Sequence, residues 1–113
     1  MAGTVLAVGA MAASVALTLS LATVGAAAVQ SQRAAGVADA AALAAADAAS
    51  GAVSGIPCDR AGAVAAATGA RVTSCVLVGL IATIEVVVPF GVLAATASAR
   101  AGPDTGIGPM PGR

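Results

Sequence analysis

Histidine, lysine, tryptophan and tyrosine are all missing from this chain, and Phe90 is its single aromatic residue. Each absence closes a class of function. General acid–base catalysis needs a side chain that titrates near neutral pH. With no His or Lys, and with Glu85 the one glutamate, that material is nearly gone. No serine has a histidine to activate it, and no glycine-rich phosphate loop follows a strand. Two cysteines without histidine cannot fill the four positions of a structural zinc. The chain therefore reads as a non-enzyme, with no cofactor, no metal and no small-molecule substrate.

Charge is scarce as well. Five arginines balance five acidic residues, and charged residues make up 9% of the chain, against about 25% in an ordinary soluble domain. There is no basic run to neutralise phosphates and no aromatic platform on which bases could stack, so nucleic acid is excluded as a partner.

What fills the chain is apolar. Hydrophobic residues make up 59% of its 113 positions, and the mean hydropathy is +1.01. From Met1 to Gln32 no side chain is charged, and Thr4 to Val29 is a nearly continuous run of Val, Leu, Ala, Gly, Ser and Thr. A membrane-spanning helix needs about 20 such residues, so residues 1–32 read as a transmembrane anchor. The competing reading is a cleaved signal peptide, because Ala26-Ala27-Ala28 offers an A-x-A cleavage pattern before Val29. Against it, the apolar run is roughly twice the about 7–15 residues of a signal h-region, and no charged n-region precedes it. Neither cysteine follows an apolar lipid-attachment segment directly, which excludes a lipoprotein. Orientation is not legible from charge, since the terminal amine stands on one side and Arg33 on the other. Small residues recur at spacing four, as in Ala12, Ala16 and Ser20. Such faces permit close helix–helix approach in lipid, yet they also arise by chance in so alanine-rich a segment.

The helical pattern does not stop at Arg33. Residues 33–50 are dominated by alanine, the strongest helix former, with Gly36 the weak position and Ser50-Gly51 the stop. Unbroken from Thr4 to Ala49, the helix would be on the order of 70 Å long. Asp39, Leu43 and Asp47 lie four apart and share one face. Two carboxylates about 12 Å apart along a helix cannot share a proton or a metal. The stripe is either a solvated face or, together with Arg33, a helix interaction face that meets neighbouring subunits.

Residues 51–100 read as a small α/β domain, with 101–113 a Gly/Pro-rich tail expected to be disordered. Cys58 and Cys75, 17 positions apart, read as a structural disulfide if the domain lies outside the cytosol and as free thiols if it does not. Asp59 to Thr68 reads as a short helix capped at Gly69. Arg71 to Val78 and Leu80 to Val88 are β-branched runs broken at Gly79. In the second run, Leu80, Ala82, Ile84, Val86 and Val88 form an apolar face that needs cover, from the alanine-rich helix or from another subunit. Pro89 ends this run or marks an edge position, and Gly91 to Arg100 could add a third strand. The fold class is α+β. A long N-terminal transmembrane helix continues into a disulfide-stapled domain with a short helix and a two- to three-stranded antiparallel sheet.

The order of motifs resembles a known family. The run from Arg33-Ala34-Ala35 through Ala38-Asp39 to Ala41-Ala42-Leu43-Ala44-Ala45-Ala46, directly after an N-terminal span, is similar to the TadE/TadG-like pilus-assembly proteins. It looks closest to the short actinobacterial type encoded beside secretion genes. Pro57-Cys58, Gly69-Ala70-Arg71, Ser74-Cys75, Val86-Val87-Val88 and Ala99-Arg100-Ala101-Gly102-Pro103 follow in the expected order. The resemblance implies a pilin-like minor subunit or pseudopilin of a tight-adherence pilus or secretion apparatus. Such a subunit is single-pass in the cytoplasmic membrane with its C-terminal domain extracytoplasmic. Its partners would be other pilin-like subunits and Tad membrane platform proteins. Pilins of this class usually carry a processing glycine and a glutamate five residues into the mature chain. With Gly3 as the processing site, that position is Val8, a departure from the family's pattern that leaves leader processing and glutamate-directed assembly open. The reading from a different class is a small exported protein, released by cleavage near Val29, that binds an external partner.

Overall fold

The computed structural model describes residues 1–104 and contains two helices and three strands. In chain order these are α1 (Ala2–Ala49), α2 (Pro57–Ala67), β1 (Arg71–Val78), β2 (Ile81–Phe90) and β3 (Leu93–Ala101). The chain divides into two compact units, Met1–Gln30 and Ser31–Arg113.

The first unit is the apolar part of α1. It is long and apolar enough to cross a membrane, and residues 1–29 are exposed throughout. Its hydroxyls turn inward along the backbone. Ser14, Thr18, Ser20 and Thr23 each donate to the carbonyl four residues earlier, all at 2.9 Å. This back-bonding hides four polar groups that would otherwise need a partner from the surroundings.

In the second unit, β1, β2 and β3 form an antiparallel meander in the order β1-β2-β3. Both hairpins close through two residues, Gly79-Leu80 and Gly91-Val92. Gly79 has φ +61° and Gly91 φ +59°, the sign a type II′ turn requires at its first central position and which fits the right-handed twist of the strands. Leu80 therefore sits in a turn, 46% exposed, and does not belong to the buried face expected to begin with it. Gly91 likewise is turn rather than strand, and β3 begins at Leu93.

Strand β2 runs two residues past Val88 and through Pro89. A proline in a central strand normally removes a ladder bond. Here β1 pairs with β2 no further than Arg71↔Val87, while Pro89 pairs with Ala94 of β3 next to the turn-closing pair Phe90↔Leu93. Successive residues of a strand point their N–H groups to opposite sides. The missing N–H of Pro89 thus falls on the side where β1 has already ended, and no bond is lost.

The remaining part of α1 covers the sheet. Its buried residues are Ala34, Val37, Ala38, Ala41, Ala42, Ala45 and Ala46, an i, i+3, i+4, i+7 stripe. They join Ala82, Ile84, Val86 and Val88 of β2, with Ala61 and Ala65 of α2 and Ala99 of β3, in one core. Ile84, Val86 and Val88 are its largest fully buried side chains. The cover expected for the apolar face of β2 thus comes from the chain's own alanine-rich helix. Gly36 faces open space, so its weak propensity disturbs no packing.

Helix α2 begins at Pro57, two residues before the expected start, because proline at the first helical position has its φ preset and needs no N–H partner. Its C-terminus is a Schellman motif. Gly69, at φ +75°, donates from its N–H to the Ala66 carbonyl at 3.0 Å, and the Ala70 N–H donates to the Ala65 carbonyl at 2.9 Å. Of the tail expected at 101–113, Ala101 is part of β3 and residues 102–104 carry no regular structure, while residues 105–113 lie outside the described residues.

Candidate functional site

The residues singled out in the sequence fall into three places in the Ser31–Arg113 unit. The first is the staple. Cys58, in the first turn of α2, is disulfide-bonded to Cys75 in β1, with their Cα atoms 5.9 Å apart. Cys75 pairs with Ile84 in the sheet register and so projects to the covered face, where α2 lies. Helix α2 fully buries Ala61 and Ala65, with Val64 half-buried against the core, a small contact by which to hold a helix on a sheet. The covalent bond supplies the attachment that such a small contact does not.

The second place is the exposed stripe of α1. Asp39, Leu43 and Asp47 are all exposed, on the opposite side of the helix from the alanines that pack on the sheet. Leu43 is 57% exposed although it is the largest side chain in this half of the helix apart from Arg33. Near it, Leu43, Asp47, Leu80 and Pro103 line a shallow groove.

Arg33 is placed differently. Its guanidinium Nη2 donates to the Thr68 carbonyl at 2.9 Å, and Thr68 is the C-cap of α2. A helix leaves its last carbonyls without intrahelical partners and carries partial negative charge at that end. Arg33 satisfies one such carbonyl and complements the dipole from 35 residues away. Its role within the chain is to tie α1 to the end of α2. Arg33→Ala is expected to weaken that end by up to about 1 kcal/mol. The check is hydrogen exchange of the α2 amides, which should speed up at the last turn while the β2 amides stay protected.

The third place is the outer face of the sheet. The register brings Val76, Thr83 and Arg100 into one row, Ser74, Glu85 and Ser98 into the next, and Arg71, Val87 and Thr96 into another. Between Val72 and Ser74 the register shifts by one residue, leaving Thr73 as a bulge. Glu85 is exposed, and the Thr73 hydroxyl donates to its carboxylate at 3.1 Å. Neither the bulge nor this hydrogen bond was expected from sequence. The bulge blunts edge strand β1 against unwanted strand pairing. Among the described residues, Asp39, Asp47, Arg71 and Arg100 make no ion pair, and no three His, Cys, Asp or Glu side chains come together.

No protein-family model, curated protein or solved structure matches this chain.

Proposed function

We propose that the chain is a single-pass membrane protein, with its Cys58–Cys75 domain outside the cytoplasmic membrane, that serves as a structural, pilin-like subunit of a Tad-type pilus or secretion apparatus. One observation carries the reading. A single helix, α1, is apolar and exposed over its first 29 residues and then packs an alanine stripe on a disulfide-stapled antiparallel sheet. Exposed Val, Leu and Met side chains along a whole helix belong in lipid or against other helices, because water would penalise each by about 1.5–3 kcal/mol. The back-bonded hydroxyls of Ser14, Thr18, Ser20 and Thr23 suit the same surroundings. The disulfide suits an oxidising compartment. The resemblance of residues 33–46 and the following motifs to TadE/TadG-like proteins supplies the machine; its partners are other pilin-like subunits and the membrane platform.

Mild crosslinking of intact cells, followed by purification of this chain, tests the reading. Recovery with other small single-helix membrane proteins supports it, and recovery as a free monomer sinks it.

The release reading has one observation in its favour. The division of the chain at Gln30/Ser31 lies next to the Ala26-Ala27-Ala28 pattern, so cleavage before Val29 would leave the Ser31–Arg113 unit whole. The intact mass of the cellular protein separates the two readings, because release removes residues 1–28.

A further inference from the structure

We infer that copies of this chain associate head to tail through their Ser31–Arg113 units, with the Asp39–Leu43–Asp47 stripe of one copy meeting the outer sheet face of the next. The inference deepens the pilin-like reading by naming a second copy as the partner of the stripe, and it rests on that reading only for the shared membrane that aligns the copies.

Charge is divided between two sides of the unit. The stripe carries Asp39 and Asp47, both exposed and without an ion-pair partner among the described residues. The outer face of the sheet carries Arg71 and Arg100, in the same condition. Its acidic residue is Glu85, whose carboxylate keeps its charge while accepting the Thr73 hydroxyl, so the face is net basic by two arginines against one glutamate.

The spacings correspond. Eight residues of helix set Asp39 and Asp47 about 12 Å apart. Arg100 pairs with Thr83, while Arg71 shares a row with Val87 and Thr96. The two arginines are thus offset by about 13 Å along the strands and by two strand spacings, about 10 Å, across them, or roughly 16 Å in all, about 4 Å more than the carboxylates and a difference that two flexible arginine side chains can span. On the helix, Leu43 lies between the two carboxylates. On the sheet, the row between the arginines is Ser74, Glu85 and Ser98, and the exposed aliphatic surface lies beside them, with Val76 in the row of Arg100 and Val78 one step beyond it. Leu43 is 57% exposed on the stripe, and Val76 and Val78 are 51% and 70% exposed on the sheet. Apolar contact contributes the burial, and the charges select which face meets which.

Helix α1 lies on the inner face of the sheet, so the stripe and the outer sheet face point away from each other. Two different surfaces on opposite sides cannot form an isologous pair. Their contact is heterologous, and repetition gives a ring or an open filament.

The test uses the full chain in its own membranes, with a benzophenone amino acid at position 43. Illumination is expected to give a ladder of dimers and higher species, with adducts mapping to β1 or β3 of a second copy. Asp39→Arg with Asp47→Arg should reduce the ladder roughly tenfold. Adding Arg71→Asp and Arg100→Asp to that same chain should restore it. Thiol counting on each variant verifies that the disulfide has formed. Adducts joining position 43 to position 43, adducts to a different protein, no adducts, or a ladder not restored by the double swap each overturn the inference. Fractionation of the same cells keeps the two readings apart. Chain found in the medium sinks the pilin-like reading, whereas membrane-bound chain without a ladder sinks only the head-to-tail contact.

Discussion

Replacing both cysteines, as Cys58→Ser with Cys75→Ser, is expected to destabilise the Ser31–Arg113 unit by about 3 kcal/mol, the chain-entropy value for closing a loop of this size. In detergent-solubilised full chain, hydrogen exchange of the most protected β2 amides should then accelerate roughly a hundredfold. The size of the effect follows from the core. Among the described residues, only Val37, Ile84, Val86 and Val88 of the fifteen in the buried core are larger than alanine. Small units with small cores depend on staples. Helix α2, whose buried residues are Ala61 and Ala65, should lose protection first, and β1 next. Unchanged β2 protection would mean that alanine packing alone holds the unit.

Ile84→Ala is expected to cost about 3 kcal/mol, while Leu43→Ala changes stability by no more than about 0.5 kcal/mol. The same exchange measurement reads both. Each substitution removes a large aliphatic side chain, so hydrophobicity scales alone would rank them together. Burial separates them. Ile84 is fully enclosed between the alanine stripe of α1 and its neighbours in the sheet, whereas Leu43 is 57% exposed. A large loss for Leu43→Ala in the solubilised chain would mean that this side chain packs within its own unit, which would take it out of the surface offered to a second copy.

These contrasts also mark what could be read in the sequence. The long helix, the short helix, the hairpin at Gly79 and the disulfide were legible because each has a local cause: an uncharged apolar run, a glycine cap, a β-branched run broken by glycine, and a cysteine pair in a small domain. The buried side of α1 was legible only in reverse. With alanine at most positions of the helix after Arg33, hydrophobic periodicity vanishes, and the exposed side is marked by Asp39 and Asp47 instead. Leu43, the one strong apolar signal there, sits on the exposed side and misleads. The Thr73 bulge left no trace, because Val76, Leu77 and Val78 are all apolar and hide the change of parity between Val72 and Cys75. The path of β2 through Pro89 depends on where β1 ends, and the bond from Arg33 to Thr68 spans 35 positions. Both are tertiary facts with no local signature.

The most direct test of an anchored chain with its stapled domain outside is cysteine accessibility in intact cells. Cells are treated with a membrane-impermeant maleimide, with and without prior mild reduction, and labelling of Cys58 and Cys75 is read in the membrane fraction. Labelling that appears only after reduction is the expected result, since the two sulfurs are joined and the proposed topology puts the domain outside. Labelling that needs lysis but no reduction would place free thiols in the cytosol, contradicting both the topology and the pilin-like assignment.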